Sequence, residues 1–247
     1  MKKEWIDMKV RAIVIFIVML GLFLSLAPLQ NWTINILEEN SQTVQKYVNP
    51  TMIESLKNWD FYIYSQWFGK NFGQFVPIIA LIIAFPLFSR EYENGTIEFL
   101  LTRASRKKVF LNKLTLSLLV LTIQLTILSL LPLIYSVIFS KEFTSIYTFK
   151  FLIHCLIGGI FWYSVTLLFS SFFNDQVKPI LASIVALGVS TVLGILRPLK
   201  FLNTFLYILG TSIFNYNSIN WTYSIVLLIL SIFLIIASYL IFLRKEM

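Results

Sequence analysis

The feature that most constrains this chain is a series of long, nearly uncharged apolar runs. Six of them are long enough, or almost long enough, to cross about 30 Å of hydrocarbon as helices; they cover residues 12–29, 74–89, 112–139, 150–173, 177–197 and 221–243. Because a bilayer core offers no water to backbone groups, such runs must be helical. The sequence therefore predicts an all-α, polytopic membrane protein with six transmembrane helices in a single domain, 1–247.

Lys and Arg are divided unequally between the two sets of loops that six spans would create. Thirteen of the 20 lie on the side that carries both termini, and seven lie on the other side. Since positively charged loops remain in the cytoplasm, we expect a multi-pass protein of the plasma membrane with both termini cytoplasmic. The formal charge of +8 is concentrated beside the apolar runs, and no nucleic-acid-binding module is visible, so we expect no nucleic acid partner.

The sequence makes further predictions for the N-terminus, for the external loop 30–73 and for the segment before the last run. A signal peptide is the alternative for the N-terminus, but 12–29 is longer than a usual signal and lacks a small-x-small cleavage site, which favours a retained span. In the external loop 30–73, Trp32, Trp59 and Trp67 are expected to act as interfacial anchors. Residues 198–220 are apolar but broken by polar residues and glycine, which predicts a pair of short re-entrant helices before the last span.

The chain has few residues that could perform chemistry. With one His and one Cys, it can form no His/Cys metal cluster, and the apolar runs hold almost no carboxylate. His154 is expected to bond to a neighbouring helix rather than to relay protons. No phosphate-binding Gly-x-x-x-x-Gly-Lys-Ser/Thr motif is present, so energy for active transport would have to come from another polypeptide.

A charged segment, 89–108, interrupts the apolar pattern and is the candidate functional region. Asn94-Gly95 should end the helix that arrives from the second run, because both residues tolerate the left-handed conformation. Thr96 is expected to cap a new helix, and Ser105 to start the next one. The spacing of Ile97, Leu100 and Leu101, flanked by Phe99, then gives one apolar face. Such a short amphipathic helix fits a partner's groove, although a solvated basic loop is the alternative.

These residues resemble those of one family, the bacterial type-2 ABC exporter permeases. The resemblance is carried by the pattern Glu91-x-Glu93-x-Gly95-Thr96-x-x-x-Leu100-Leu101, followed by Ser105-Arg106 and Lys113. The six runs, the basic amphipathic N-terminus and the broken segment before the last run also resemble that family. The sequence differs from the family pattern at Arg103-Ala104, where many members have a proline.

The resemblance implies a fold and a set of interacting residues. It adds an N-terminal interfacial helix and a cytoplasmic coupling helix that docks on a separate ABC ATP-binding subunit. The residues that it assigns to coupling are Glu91, Glu93, Gly95, Thr96, Ile97, Phe99, Leu100, Leu101 and Arg106. Ile97, Phe99, Leu100 and Leu101 would form the docked knob, and Glu91, Glu93 and Arg106 would be polar clamps.

The function implied is that of a permease subunit that exports an amphipathic or hydrophobic substrate, such as a peptide, a lipid-like molecule or a drug. The partners would be the ATP-binding subunit, a second permease chain in a homo- or heterodimer, and membrane lipids. This chain would be no enzyme and would hold no cofactor, since ATP and Mg would be bound by the partner subunit. The alternatives are an immunity or sensor subunit of the same fold and, more remotely, a membrane-embedded lipid enzyme.

Overall fold

The computed structural model describes residues 2–39 and 50–245, and every regular element in these two ranges is a helix. Five helical stretches in them are long and apolar enough to cross a membrane: Glu4–Leu37, Trp59–Glu93, Arg106–Ile138, Ser145–Phe172 and Trp221–Arg244. A further apolar helix, Val177–Leu193, has 17 residues and would span about 25 Å. The prediction of an all-α polytopic membrane protein is confirmed.

The helices follow the chain in a simple order. The first half contains α1 Lys2–Leu26, a 3-10 turn Ala27–Leu29, α2 Gln30–Glu39, α3 Pro50–Lys57, α4 Trp59–Ile63, a π-helix Tyr64–Asn71, α5 Phe72–Ala84, α6 Ser89–Glu93 and α7 Thr96–Arg103. The second half contains α8 Arg106–Ile138, α9 Ser145–Phe172, α10 Val177–Leu193, a 3-10 helix Arg197–Leu202, α11 Thr204–Ile208, α12 Thr211–Tyr216 and α13 Trp221–Arg244.

Helix α9 lies at the centre of the bundle and packs against α5, α8 and α13. Small residues allow these close approaches, as is usual where helices pack in a membrane. A Cβ atom at Gly159 would lie 2.5 Å from Leu125 Cδ1 of α8. On α13, Ser224, Ser231 and Ser238 are buried while most of the large apolar side chains face outward. The outer surface of the bundle is therefore suited to lipid and the seams to close helix contact.

Two sequence predictions about the first 73 residues are wrong. The expected N-terminal interfacial helix is not a separate element, because α1 runs without a break from Lys2 to Leu26 and no glycine or proline occurs in residues 2–11. The segment 30–73 is not an ordinary loop either. In its described part it is mostly helical, and the second membrane-crossing stretch begins at Trp59, well before residue 74.

Trp59 and Trp67 are core residues and not the interfacial anchors that the sequence suggested. Trp67 is fully buried, and its Nε1 donates to the Leu128 carbonyl at 3.1 Å. That carbonyl needs a partner because the residue four positions later, Pro132, has no N–H to donate. Trp59 Nε1 similarly donates to Ser136 Oγ at 2.7 Å. Of the three tryptophans predicted as anchors, Trp32 alone is exposed, at 60%.

The segment before the last span does form two short helices, α11 and α12, as predicted, and both pack on α9. Gly210 joins them with φ +72°, and a Cβ atom there would lie 2.2 Å from Phe151 Cε1. His154 bonds to this neighbouring segment, as expected, with Nδ1 2.8 Å from the Tyr207 carbonyl. Because that carbonyl accepts, the Nδ1 atom carries the proton.

The contact between α9 and α11 can be tested at Gly158, where a Cβ atom would lie 2.3 Å from Ile208 Cγ1. We expect Gly158→Ala to destabilise the fold by about 1–3 kcal/mol through overpacking. The readout is thermal unfolding followed with a thiol-reactive dye, since the lone cysteine, Cys155, is buried until the bundle opens.

Gly188→Ala is the matched control, because nothing lies within 4 Å of a Cβ atom at that position. It gains the same helix propensity of about 1 kcal/mol without the clash. Adding Ile208→Ala to the Gly158→Ala variant should recover part of the lost thermal stability, because it removes the side chain that clashes. Equal midpoints for the two glycine variants would show that α11 is not packed against α9 in this way.

Candidate functional site

The charged segment forms a helix–turn–helix at one end of the bundle. Helix α6 ends at Glu93, with Asn94 as its C-cap, and Gly95 follows with φ +65°, in the left-handed region that favours glycine. The predicted helix break at Asn94-Gly95 is therefore confirmed, although Asn94 itself keeps φ −88°. The predicted N-cap is wrong: Gly95 occupies that position, and Thr96 is the first residue of α7. Instead of capping, the Thr96 hydroxyl donates to Glu91 Oε2.

Helix α7 has one face against the chain and one face that is free of it. Ile97 is 3% exposed, and Leu100, Leu101 and Ala104 pack around it on the core. The opposite face presents Glu98, Phe99, Thr102 and Arg103, all exposed. Phe99 has 73% of its surface exposed, which is unusual for a phenyl ring. The structure thus separates the predicted apolar knob into three residues that hold the helix and one that points outward.

Glu91 and Lys113 form a buried ion pair beneath this helix. Lys113 Nζ lies 2.9 Å from Glu91 Oε1, and both side chains are about 6% exposed. A buried charge without its partner is costly, so the pair fixes α6 against the first turns of α8. Glu91 is therefore an internal residue in this structure. It lies near the end of the second membrane-crossing stretch, Trp59–Glu93, so the pair also fixes the end of that stretch against α8.

The turn between α5 and α6 is held by the far end of α9. The backbone N–H groups of Phe88 and Ser89 both donate to Ser170 Oγ, at 3.1 and 3.3 Å. The Phe88 ring stacks on Phe110 of α8 with centroids 5.2 Å apart, and it lies 4.7 Å from Phe242 of α13. The base of the charged segment is thereby joined to α8, α9 and α13 at once.

Two basic side chains donate hydrogen bonds to backbone carbonyls at the C-termini of α13 and α9. Arg106 Nη1 lies 3.1 and 2.9 Å from the carbonyls of Phe242 and Leu243, and 2.7 Å from that of Lys245. Cations stabilise a helix C-terminus because its last carbonyls lack backbone donors and carry partial negative charge. Arg106, predicted as a clamp for a partner, thus binds within its own chain.

Lys245 binds the backbone carbonyls at the C-terminus of α9. Its Nζ donates to the carbonyls of Ser171, Phe172 and Phe173 at 2.9–3.0 Å, and it lies 3.9 Å above the Tyr92 ring. Burial lowers the pKa of Lys245 to about 8. At neutral pH the ammonium therefore keeps its proton and can donate to all three carbonyls. Through Tyr92, the same ammonium contacts α6.

The turn between α9 and α10 also reaches the charged segment. Gln176 Nε2 donates to Glu93 Oε2 at 2.6 Å, on the surface. Beside it, hydrogen bonds from Lys178 lower the pKa of the Asp175 carboxyl. Arg90 lies 3.9 Å from Asp7 of α1. Four segments therefore meet at one end of the bundle, around residues 7, 90, 176 and 245. The count of Lys and Arg had placed all four on one side of the membrane.

The structure brings all nine predicted site residues into one region but gives them different surroundings. Glu91, Ile97 and Arg106 face the chain itself, Glu93 bonds to the neighbouring turn, and Phe99 faces outward. Gly95 lies in the turn, and Thr96 begins α7 and bonds to Glu91. Sequence reasoning missed the supporting residues Ser170 and Lys245, since nothing local distinguishes a serine or a lysine that binds a segment some 80 or 150 positions away. Among the described residues, no group of three or more His, Cys, Asp or Glu side chains could hold a metal ion.

Comparison with known families assigns the chain as a whole. A family model described as "ABC-2 family transporter protein" matches residues 1–247. The chain belongs to this family. It is accordingly a membrane permease subunit of an ABC exporter, and family membership implies association with an ABC ATP-binding subunit. No curated protein and no solved structure matches the sequence.

In this ABC-2 family protein, the buried Glu91–Lys113 pair is a testable support of α7. We expect Lys113→Met to destabilise the fold by about 3–5 kcal/mol, because it leaves a buried carboxylate without its counter-charge. The double variant Glu91→Gln with Lys113→Met removes both charges and should recover much of the loss. Thermal unfolding in detergent, followed at Cys155, measures both.

Lys107→Met is the control for this pair, since Lys107 lies on the same helix but is exposed. Its expected change is within about 0.5 kcal/mol. If the double variant is as unstable as Lys113→Met alone, charge pairing is not what Lys113 contributes.

Proposed function

We propose that this chain moves an amphipathic or hydrophobic substrate outward across the plasma membrane, driven by a separate subunit that binds ATP and Mg. In this proposal both termini and the charged segment are cytoplasmic, as the distribution of Lys and Arg indicates. Helix α7 is the coupling helix, and a second permease chain completes the pathway. The proposal rests on family membership and on one structural observation, the outward-facing ring of Phe99.

Phe99 suits docking because the helix that carries it is fixed. Its neighbours Ile97, Leu100 and Leu101 are packed on the core, and the turn before it is tied down by the Glu91–Lys113 pair. An exposed aromatic side chain on a rigid helix loses little conformational entropy when it enters a partner's pocket. Aromatic residues of this kind supply much of the binding energy in protein interfaces. Glu98, Thr102 and Arg103 would then surround the ring as a polar rim.

A force on α7 can reach the membrane through contacts that are already formed. Thr96 of α7 bonds to Glu91 of α6, and the Glu91–Lys113 pair connects α6 to α8. Arg106 connects α8 to the end of α13, and Lys245 connects that end to α9 and to Tyr92. When the ATP-binding subunits close, we propose that these helix ends move as one body. ATP binding then shifts the population between inward- and outward-facing states by its different affinity for the two.

The composition of the spans favours an uncharged or amphipathic cargo. The described membrane-crossing stretches carry aliphatic, aromatic and hydroxyl side chains, and their few charges lie mostly near the cytoplasmic ends. A pathway with such walls would hold a hydrophobic molecule better than a small ion. The exposed apolar faces of α1 and α10 are available to lipid and to the second permease chain.

The docking role of Phe99 predicts a loss of coupling without a loss of folding. We expect Phe99→Ser to weaken association with the ATP-binding subunit at least tenfold, since buried aromatic anchors at interfaces are typically worth about 2 kcal/mol or more. Copurification from membranes and permease-stimulated ATP hydrolysis are the two measurements. Thermal stability of the isolated permease should stay unchanged because the ring is exposed.

Phe172→Ser is the matched control, as this phenyl group is 60% exposed at the same end of the bundle. It should leave association intact. If Phe99→Ser copurifies as well as the unaltered chain, α7 does not dock through this ring.

Export itself can be measured in vesicles that contain the permease and its ATP-binding subunit. We expect ATP-dependent movement of a fluorescent amphiphile away from the ATP-accessible side, and none with Phe99→Ser. Retention of the amphiphile on the permease, without ATP-dependent movement, would favour a sensor or immunity subunit over an exporter.

A further inference from the structure

A cavity at the opposite end of the bundle combines several hydrogen-bond donors, and no carboxylate is among the described residues that line it. Its volume is about 410 Å³, and it lies between the 3-10 helix Arg197–Leu202, helix α12 and the start of α13. The Tyr207 carbonyl beside it bonds His154, sixteen positions along α9 from Ser170, the residue that holds the charged segment. The two sites are therefore about 24 Å apart along the helix axis.

Acidic residues are absent from this whole part of the chain. None occurs between Asp175 and Glu246, while Lys200 lines the cavity. The larger cavity at the same end, of about 550 Å³, differs in this respect because Asp60 lines it. An anion would thus meet a carboxylate in the larger cavity and only neutral or positive groups in the smaller one.

Two asparagines in the cavity wall have their orientation fixed by helix caps. Asn203 Oδ1 accepts from the N–H of Phe205, and Asn220 Oδ1 accepts from the N–H of Tyr223, each at 3.1 Å. Since an amide has one oxygen and one NH₂ group, the oxygen in the cap leaves the Nδ2 group as the donor on the other side. The same interactions that begin α11 and α13 therefore leave two amide donors in one cavity.

Further groups complete a polar wall with an apolar edge. Asn215 and Ser212 also line the cavity. Phe201 and Leu206 form the apolar edge, and Phe201 is 61% exposed.

We propose that this cavity binds a phosphate group, of the kind carried by a lipid headgroup or a free phosphate ester. Lys200 supplies the positive charge, and the amide groups of Asn203 and Asn220 donate to the phosphate oxygens, which accept several bonds at once. Phe201 and Leu206 are placed to contact an acyl chain beside the headgroup. This site is independent of the coupling role of α7, because binding requires the permease chain alone.

The decisive variants replace the cap asparagines by aspartate. Aspartate is as good an N-cap as asparagine, so Asn203→Asp with Asn220→Asp keeps both caps while it exchanges the donors for negative charge. Native mass spectrometry of the purified chain with a soluble short-chain phosphatidylglycerol measures binding. We expect binding about tenfold weaker in this double variant and in Lys200→Gln, with unchanged thermal stability.

Asn58→Asp is the matched control, because Asn58 caps α4 in the same way, with Oδ1 3.1 Å from the N–H of Phe61, and lines the other cavity. It should bind the lipid as the unaltered chain does. Equal weakening by Asn58→Asp, or unchanged binding in both cavity variants, would overturn the proposal. If the double aspartate variant does not fold, Lys200→Gln and Asn215→Asp provide the same test.

Competition then identifies the source of the phosphate. Displacement of the lipid by glycerol phosphate or inorganic phosphate would support a site for the phosphate group alone. Failure of both to displace it, together with weaker binding in Phe201→Ser, would support a phospholipid site. Equal binding of a glycosylated diacylglycerol without phosphate would overturn the assignment.

Discussion

One constraint governs this structure: a bilayer core supplies no water, so polar groups buried between the helices depend on partners within the protein. The carbonyl of Leu128 shows how the constraint acts. Pro132 cannot donate to it, and the indole of Trp67, from a distant helix, does so instead. His154 meets the Tyr207 carbonyl in the same way, and Trp162 donates to Thr204 Oγ1. These bonds join spans that apolar packing alone would leave free to slide.

The same constraint is strongest at the helix ends, where several carbonyls lack intrahelical donors. At one end of the bundle, Arg106 and Lys245 satisfy those of α13 and α9. Arg106 belongs to the charged segment, at the start of α8, and Lys245 lies above the ring of Tyr92 in the same segment. The contacts that satisfy the helix ends therefore also hold the charged segment. This is why a movement of α7 would be felt by three membrane-crossing helices together.

Predictability differed between the parts of the chain for a physical reason. The spans, the break at Gly95 and the two short helices α11 and α12 follow from local composition and backbone preference, and they were predicted. The roles of Trp59 and Trp67 were not, because an aromatic residue near a membrane surface can equally face lipid or the core. The start of the second membrane-crossing stretch was also missed, since the polar residues of the π-helix Tyr64–Asn71 interrupt the apolar pattern while its backbone remains helical.

The candidate site divides in the same way. By itself the sequence determined the break at Gly95 and favoured an amphipathic helix after it, because glycine, charge and apolar spacing act within a few residues. Only the tertiary structure decided which side chains face inward. Ile97 is covered by the core, Arg106 by the end of α13, and Glu91 by Lys113, while Phe99 is left exposed. Burial of a side chain depends on what packs against it, and those neighbours come from helices far away in the sequence.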